Sequence, residues 1–137
     1  MRGGQTTLSF VLLVSGVIIE IAIAGSFITY FLSSSGLGDR LSARAFAAAE
    51  AGVRDVQIKV SRDKEFVSGG TTSYVIPVGG DTVAVLVSRD ASDPANYLYT
   101  ATSTGMAVSR NRQLVVVIAV DRTTGLTQLQ SLSEKAF

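Results

Sequence analysis

Apolar side chains run almost unbroken from Leu8 to Phe31, LSFVLLVSGVIIEIAIAGSFITYF, with a single acid, Glu20, near the middle. As a helix, this stretch rises about 36 Å, enough to cross a hydrocarbon core of about 30 Å. The pattern then changes. Leu32 to Gly38 (LSSSGLG) carries three serines and two glycines, and its poor helix propensity predicts a flexible interruption over residues 33–38. Asp39 suits the N-cap of a second helix. From there Leu41, Ala45, Ala48, Ala49, Gly52, Val53, Val56 and Val60 recur at helical spacing, while Arg40, Arg44, Glu50, Arg54, Asp55 and Lys59 fall mostly off that stripe. The stripe is thin and rich in alanine, so whatever covers it must approach closely.

Beyond Lys64 the period shortens to two. After a loop ending in Ser68-Gly69-Gly70, strands are expected at 72–78, 82–88, 97–103, 113–121 and, most weakly patterned, 126–132. Pro77 suits an edge or a strand end. Gly79-Gly80-Asp81 joins the first two strands as a hairpin. Between the third and fourth, Thr104-Gly105 and Ser109-Arg110-Asn111-Arg112 are alternative turn sites. QLVVVIAVD (113–121) is apolar on both faces, which predicts a central strand covered on both sides. The expected fold class is therefore α+β: a long N-terminal helix packed by an antiparallel sheet of about four to five strands. The expected organisation is 1–4 leader, 5–32 apolar helix, 33–38 break, 39–63 amphipathic helix and 64–137 β head.

Composition narrows the chemistry. Of 137 residues none is cysteine or histidine. The commonest zinc ligands, Ser-His and Cys-His pairs, and the usual neutral-pH proton shuttle are thus missing. No phosphate-cradling glycine loop and no carboxylate pair of catalytic spacing is present, so neither enzyme activity nor a cofactor is expected. A net charge of +1 gives no reason to expect a nucleic-acid partner.

Three readings compete for the N-terminus. An ordinary secretory signal would have Arg2 as its basic region and Ala22-Ile23-Ala24 as an A-x-A-like cleavage site, but apolar sequence resumes at Ser26–Leu32 beyond that site. A plain transmembrane anchor is the second, with Arg2 before the span and Arg40 and Arg44 after it leaving the orientation open. The third reading starts from Arg2-Gly3-Gly4-Gln5-Thr6-Thr7-Leu8, a basic residue and glycines directly ahead of the apolar run. This arrangement resembles the class III signal of type IV pilins and pseudopilins. A second stretch, Ala45-Phe46-Ala47-Ala48-Ala49-Glu50-Ala51-Gly52-Val53, resembles the AxxAAEAG segment of PilX-type minor pilins, at the same distance past the apolar helix. Together the two motifs and the helical stalk cover about the first 60 residues.

That resemblance implies cleavage by a prepilin peptidase between Gly4 and Gln5. It also implies methylation of the new amine, retention of the apolar helix and assembly into a filament. The implied partners are copies of the chain or other pilins, the peptidase, an inner-membrane assembly platform and, before assembly, the membrane. The implied location is a single-pass membrane protein that becomes part of a surface filament or periplasmic pseudopilus, with adhesion or secretion as its role. The family's glutamate five residues into the mature chain is replaced here by Ser9. Two readings of Glu20 stay open: a protonated or locally satisfied membrane carboxyl, or a substitute for the family glutamate that meets the Gln5 amine or a polar group of a neighbour. Helix rise separates Gln5 from Glu20 by about 22 Å. Small residues at Ser15, Gly16, Ala22, Ala24, Gly25 and Ser26 would let helices approach closely.

Two further clusters carry polar side chains. Asp90, Asp93 and Asn96, at three-residue spacing, offer oxygen ligands of the kind calcium takes, but an ordinary Asx- and proline-shaped turn is the preferred reading. Arg89, Arg110, Arg112 and Arg122 would form a basic patch only if the fold gathered them; without interleaved aromatics they read as a solvated face.

Overall fold

The computed structural model describes residues 3–135, with the backbone alone for residues 3–7. Met1 and Arg2 of the expected leader lie outside the described residues. Helix α1 (Gly3–Arg62) is followed by strands β1 (Gly70–Val78), β2 (Asp81–Asp90), β3 (Asn96–Ala107), β4 (Arg110–Asp121) and β5 (Thr127–Lys135). Each strand pairs antiparallel with the next, giving a meander in the order β1-β2-β3-β4-β5. The fold is α+β, as the patterning predicts. The chain divides into two compact units at Gly38/Asp39.

The first unit is helical throughout its described part. The expected break at 33–38 is absent, and Asp39 lies inside α1 rather than at an N-cap. Serine and glycine cost a helix at most about 1 kcal/mol each, whereas starting a new helix carries a nucleation penalty. Continuing the existing helix across Leu32–Gly38 therefore costs less than ending it and beginning another.

In the second unit, the part of α1 from Asp39 onward lies on one face of the sheet. Ala45, Ala48, Ala49, Val53, Val56 and Val60 are buried, matching the predicted stripe. They meet Val83, Val85 and Val87 of β2, Tyr99 and Ala101 of β3, and Leu114, Val116, Ile118 and Val120 of β4. Strand alternation sends these side chains to the helix and their neighbours to the far face. At the centre of the contact, small residues let backbone approach backbone. Ser103 Oγ donates to the Ala49 carbonyl at 2.8 Å. A Cβ on Gly105 would stand 2.1 Å from the Ala45 carbonyl oxygen and 2.5 Å from the Ala49 nitrogen. One on Gly52 would stand 2.2 Å from Ser103 Oγ.

Two further expectations are corrected. The strand at 113–121 is not central. β3 holds the middle, and β4 lies one strand in from the β5 edge. Its outward-facing Val115, Val117 and Ala119 are half-buried rather than covered. Of the two turn sites, Thr104-Gly105 lies within β3, and the chain reverses at Val108-Ser109. Gly105 serves close packing instead of a turn. The last strand starts and ends later than expected and carries a bulge at Gln130, opposite Val117/Ile118. Pro77 is on edge strand β1, where its missing N–H costs no ladder bond.

Gly105→Ala should destabilise the protein by about 3 kcal/mol, since the new methyl meets helix backbone that cannot move aside. Gly52→Ala should cost less, because the first atom it meets is a hydroxyl. Adding Ser103→Ala to Gly52→Ala should recover part of that cost. Urea unfolding of the full chain in detergent, as a double-mutant cycle, checks the order; equal costs for the two glycines would contradict this packing.

Candidate functional site

The candidate site is the apolar half of α1. From Leu8 to Gly38 the only charged side chain is Glu20. The helix is long and apolar enough to cross a membrane: its most apolar window has a mean hydropathy of 2.4, and none of that window is buried within the molecule. Leu12, Ile18, Ile21 and Phe31 are each about two-thirds exposed. Contiguous apolar exposure on this scale marks a surface that lipid or another protein covers. Three hydroxyls in the segment are turned back onto the helix itself. Ser15 donates to the Val11 carbonyl at 2.8 Å, Ser26 to Ala22 at 2.9 Å and Thr29 to Gly25 at 2.9 Å. Such bonds to the preceding turn hide hydroxyls that hydrocarbon cannot solvate.

Glu20 is exposed on this surface. Helical periodicity puts Gly16 one turn before it and Ala24 one turn after it on the same face. The carboxylate is therefore flanked by small residues that leave room for a neighbouring helix. Ser9 is exposed on α1. Gly4 and Gln5, the expected cleavage pair, have helical backbone in α1, and their side chains lie outside the described residues.

The head offers less chemistry. Among the described residues no group of His, Cys, Asp or Glu is arranged to hold a metal. The carboxylates of Asp90 and Asp93 are engaged by their own turns. Asp90 accepts from the Ser92 N–H at 2.9 Å and from the Ser92 hydroxyl. Asp93 accepts from the Ala95 N–H at 2.9 Å and from Asn96 Nδ2 at 3.0 Å. The Ser92 hydroxyl and N–H lower the Asp90 pKa, and the Ala95 N–H followed by Asn96 lowers that of Asp93. The four arginines do not gather. Arg112 reaches Ser42 and Glu134. Arg89 and Arg122 stack on Tyr97 instead, with guanidinium carbons 4.6 and 4.4 Å from its ring centroid. Sequence pattern gave no sign of this stack, because its members come from β2, β3 and the turn after β4.

A second cluster ties the helix to β1. Tyr74 donates to Asp55 at 2.7 Å, and Lys59 pairs with Asp55 at 2.8 Å while lying 3.6 Å above the Tyr74 ring. Burial pushes the Asp55 pKa up, but the Lys59 and Tyr74 hydrogen bonds and the Lys59 charge outweigh it, leaving it lowered. Burial, and then the adjacent carboxylate, raise the pKa of Tyr74.

No family model matches the chain, and no curated protein or solved structure matches it.

The linkage of this cluster has a definite sign. Asp55 contributes stability that is complete above its unfolded pKa near 4 and is lost as pH falls through its lower folded value. Tyr74 contributes stability that is complete below about pH 10 and is lost as pH rises through its higher folded value. Tyr74→Phe should therefore flatten the alkaline limb of stability against pH and shallow the acid limb. Urea unfolding from pH 2 to 11 checks this; unchanged limbs would contradict it.

Proposed function

We propose that the chain is a structural subunit, of the major or minor class, of a type IV pilus or a type II secretion-like pseudopilus. The observation that carries this reading is the apolar half of α1: uncovered by its own chain, carrying one carboxylate, and continuous with the helix on which the β head is built. In this reading the chain first spans the inner membrane with its head outside. A prepilin peptidase cuts between Gly4 and Gln5, and the assembly platform draws the subunit from the bilayer. The apolar helix then exchanges lipid contacts for contacts with copies of itself or other pilins. Association of this kind rests on close packing and interhelical polar contacts rather than on water exclusion. Glu20, between Gly16 and Ala24, supplies the interhelical polar contact that the family glutamate would make. The filament's task is adhesion or secretion at the cell surface, without catalysis or cofactor.

Intact-mass analysis of the native protein tests the processing. The expected mass begins at Gln5 and includes a methyl group on its amine. An uncut chain, or one starting near Gly25, would contradict it and leave a membrane-anchored binding module or a cleaved secretory protein. Glu20→Leu is expected to lower incorporation into sheared surface filaments about tenfold, the worth of one interhelical polar contact of 1–2 kcal/mol. Normal incorporation would remove Glu20 from the assembly contact.

A further inference from the structure

The meander sorts the charges of the head to its two ends. Arg44 pairs with Asp81 beside the β1–β2 turn at 2.8 Å. Arg112, three residues past the β3–β4 turn, donates to Ser42 at 2.8 Å and pairs with Glu134 near the end of β5 at 2.7 Å. The turns at 79–80 and 108–109 and the end of β5 therefore all lie at the Asp39–Arg44 end of the head helix. The β2–β3 and β4–β5 turns lie at the other end, where Lys64 donates to the Arg122 carbonyl at 2.8 Å. The first end carries five cations against three carboxylates, and the second carries four against five. Once the Arg44–Asp81 and Arg112–Glu134 pairs are formed, Arg40, Arg110 and Lys135 have no ion-pair partner among the described residues.

The same end carries an unusual turn. Val108 is 86% exposed, the highest value among the large apolar side chains described, and its φ is 52°. A β-branched residue in this left-handed region is strained, and glycine or asparagine is the ordinary choice. Neither core packing nor turn geometry accounts for valine there.

Chain length sets the level at which this end emerges. Residues 8–38 rise about 46 Å as a helix, close to the full bilayer thickness of about 40–45 Å including headgroups. If the segment spans, Asp39 and Arg40 leave it at the headgroup boundary.

We propose that this end of the head, formed by Val108, Arg40, Arg110 and Lys135, docks on an anionic lipid surface: Val108 enters the acyl boundary and the three cations meet lipid phosphates. The interaction rests on the membrane-spanning part of the function proposed above and is independent of filament assembly. It holds the waiting subunit against the bilayer and is released when the subunit is extracted. Cations near an anionic leaflet are each worth about a fivefold change in binding, so three give about a hundredfold.

The chain has no cysteine, so single labels are straightforward. The full chain would be placed in nanodiscs of phosphatidylcholine, with or without 30% phosphatidylglycerol, carrying an environment-sensitive fluorophore at Ser109→Cys or, as control, at Thr123→Cys. On anionic discs the label at 109 should blue-shift and be quenched by lipid-borne spin labels, reversibly with salt, while the label at 123 stays in water. Arg40→Gln/Arg110→Gln/Lys135→Gln should lower the docked-to-free ratio about a hundredfold. Val108→Gly should hold or raise Tm, because glycine suits that φ, yet weaken docking roughly fivefold through the lost apolar side chain. A label at 109 that stays in water on anionic discs, or shielding that does not depend on lipid charge, would overturn the proposal. So would shielding that depends on protein concentration, which marks a second copy. A chain that fails to float with vesicles would overturn the membrane span as well, whereas a chain that floats with a water-exposed 109 overturns only the docking.

Discussion

The constraint on which everything else depends is that the first half of α1 exposes an apolar surface its own chain never covers. The head commits one face of its sheet to Asp39–Arg62, where its own core lies. Water does not tolerate such a surface, and hydrocarbon tolerates it because the backbone is satisfied within the helix and the hydroxyls of Ser15, Ser26 and Thr29 are folded back on it. Glu20 is the exception, and a lone carboxylate in such a place is the feature most in need of a neighbour.

The second half of the same helix meets the opposite demand. It must lie so close to the sheet that alanine and glycine are the only residues that fit. Ala45, Ala49 and Gly52 face Ala101, Ser103 and Gly105 across an interface in which carbonyl and amide groups of the helix take the place of side chains. Valines then fill the widening space toward Val60. One continuous helix thus carries a stretch built for lipid or other helices and a stretch built for a sheet, and the change falls at Gly38/Asp39.

Much of this was legible in the sequence. The stripe from Ala45 to Val60, the alternating valines of β2 and the Gly79-Gly80 hairpin followed directly from periodicity. What was not legible had physical causes. The serines and glycines of 33–38 signal a break only when local propensity is considered alone; a helix already formed on both sides overrides them. Gly105 looked like a turn residue because a glycine needed for close approach and a glycine needed for a turn are the same letter. The apolar run in β4 suggested the sheet centre, yet one outer face of an antiparallel sheet can remain half-buried without a covering layer. The candidate site was legible as a pattern, Glu20 in an apolar helix. The Tyr97 stack and the sorting of head charges were not, since they arise only once the meander brings distant turns together.

In the function proposed above, the retained apolar helix ends up shielded by the helices of other copies. The most direct measurement places one cysteine at Ile21, beside Glu20, and oxidises sheared surface material without detergent. The account predicts a cross-linked dimer through that position, with the unoxidised thiol inaccessible to water-soluble maleimide. A freely labelled, uncross-linked monomer, or surface material lacking residue 21 altogether, would contradict it.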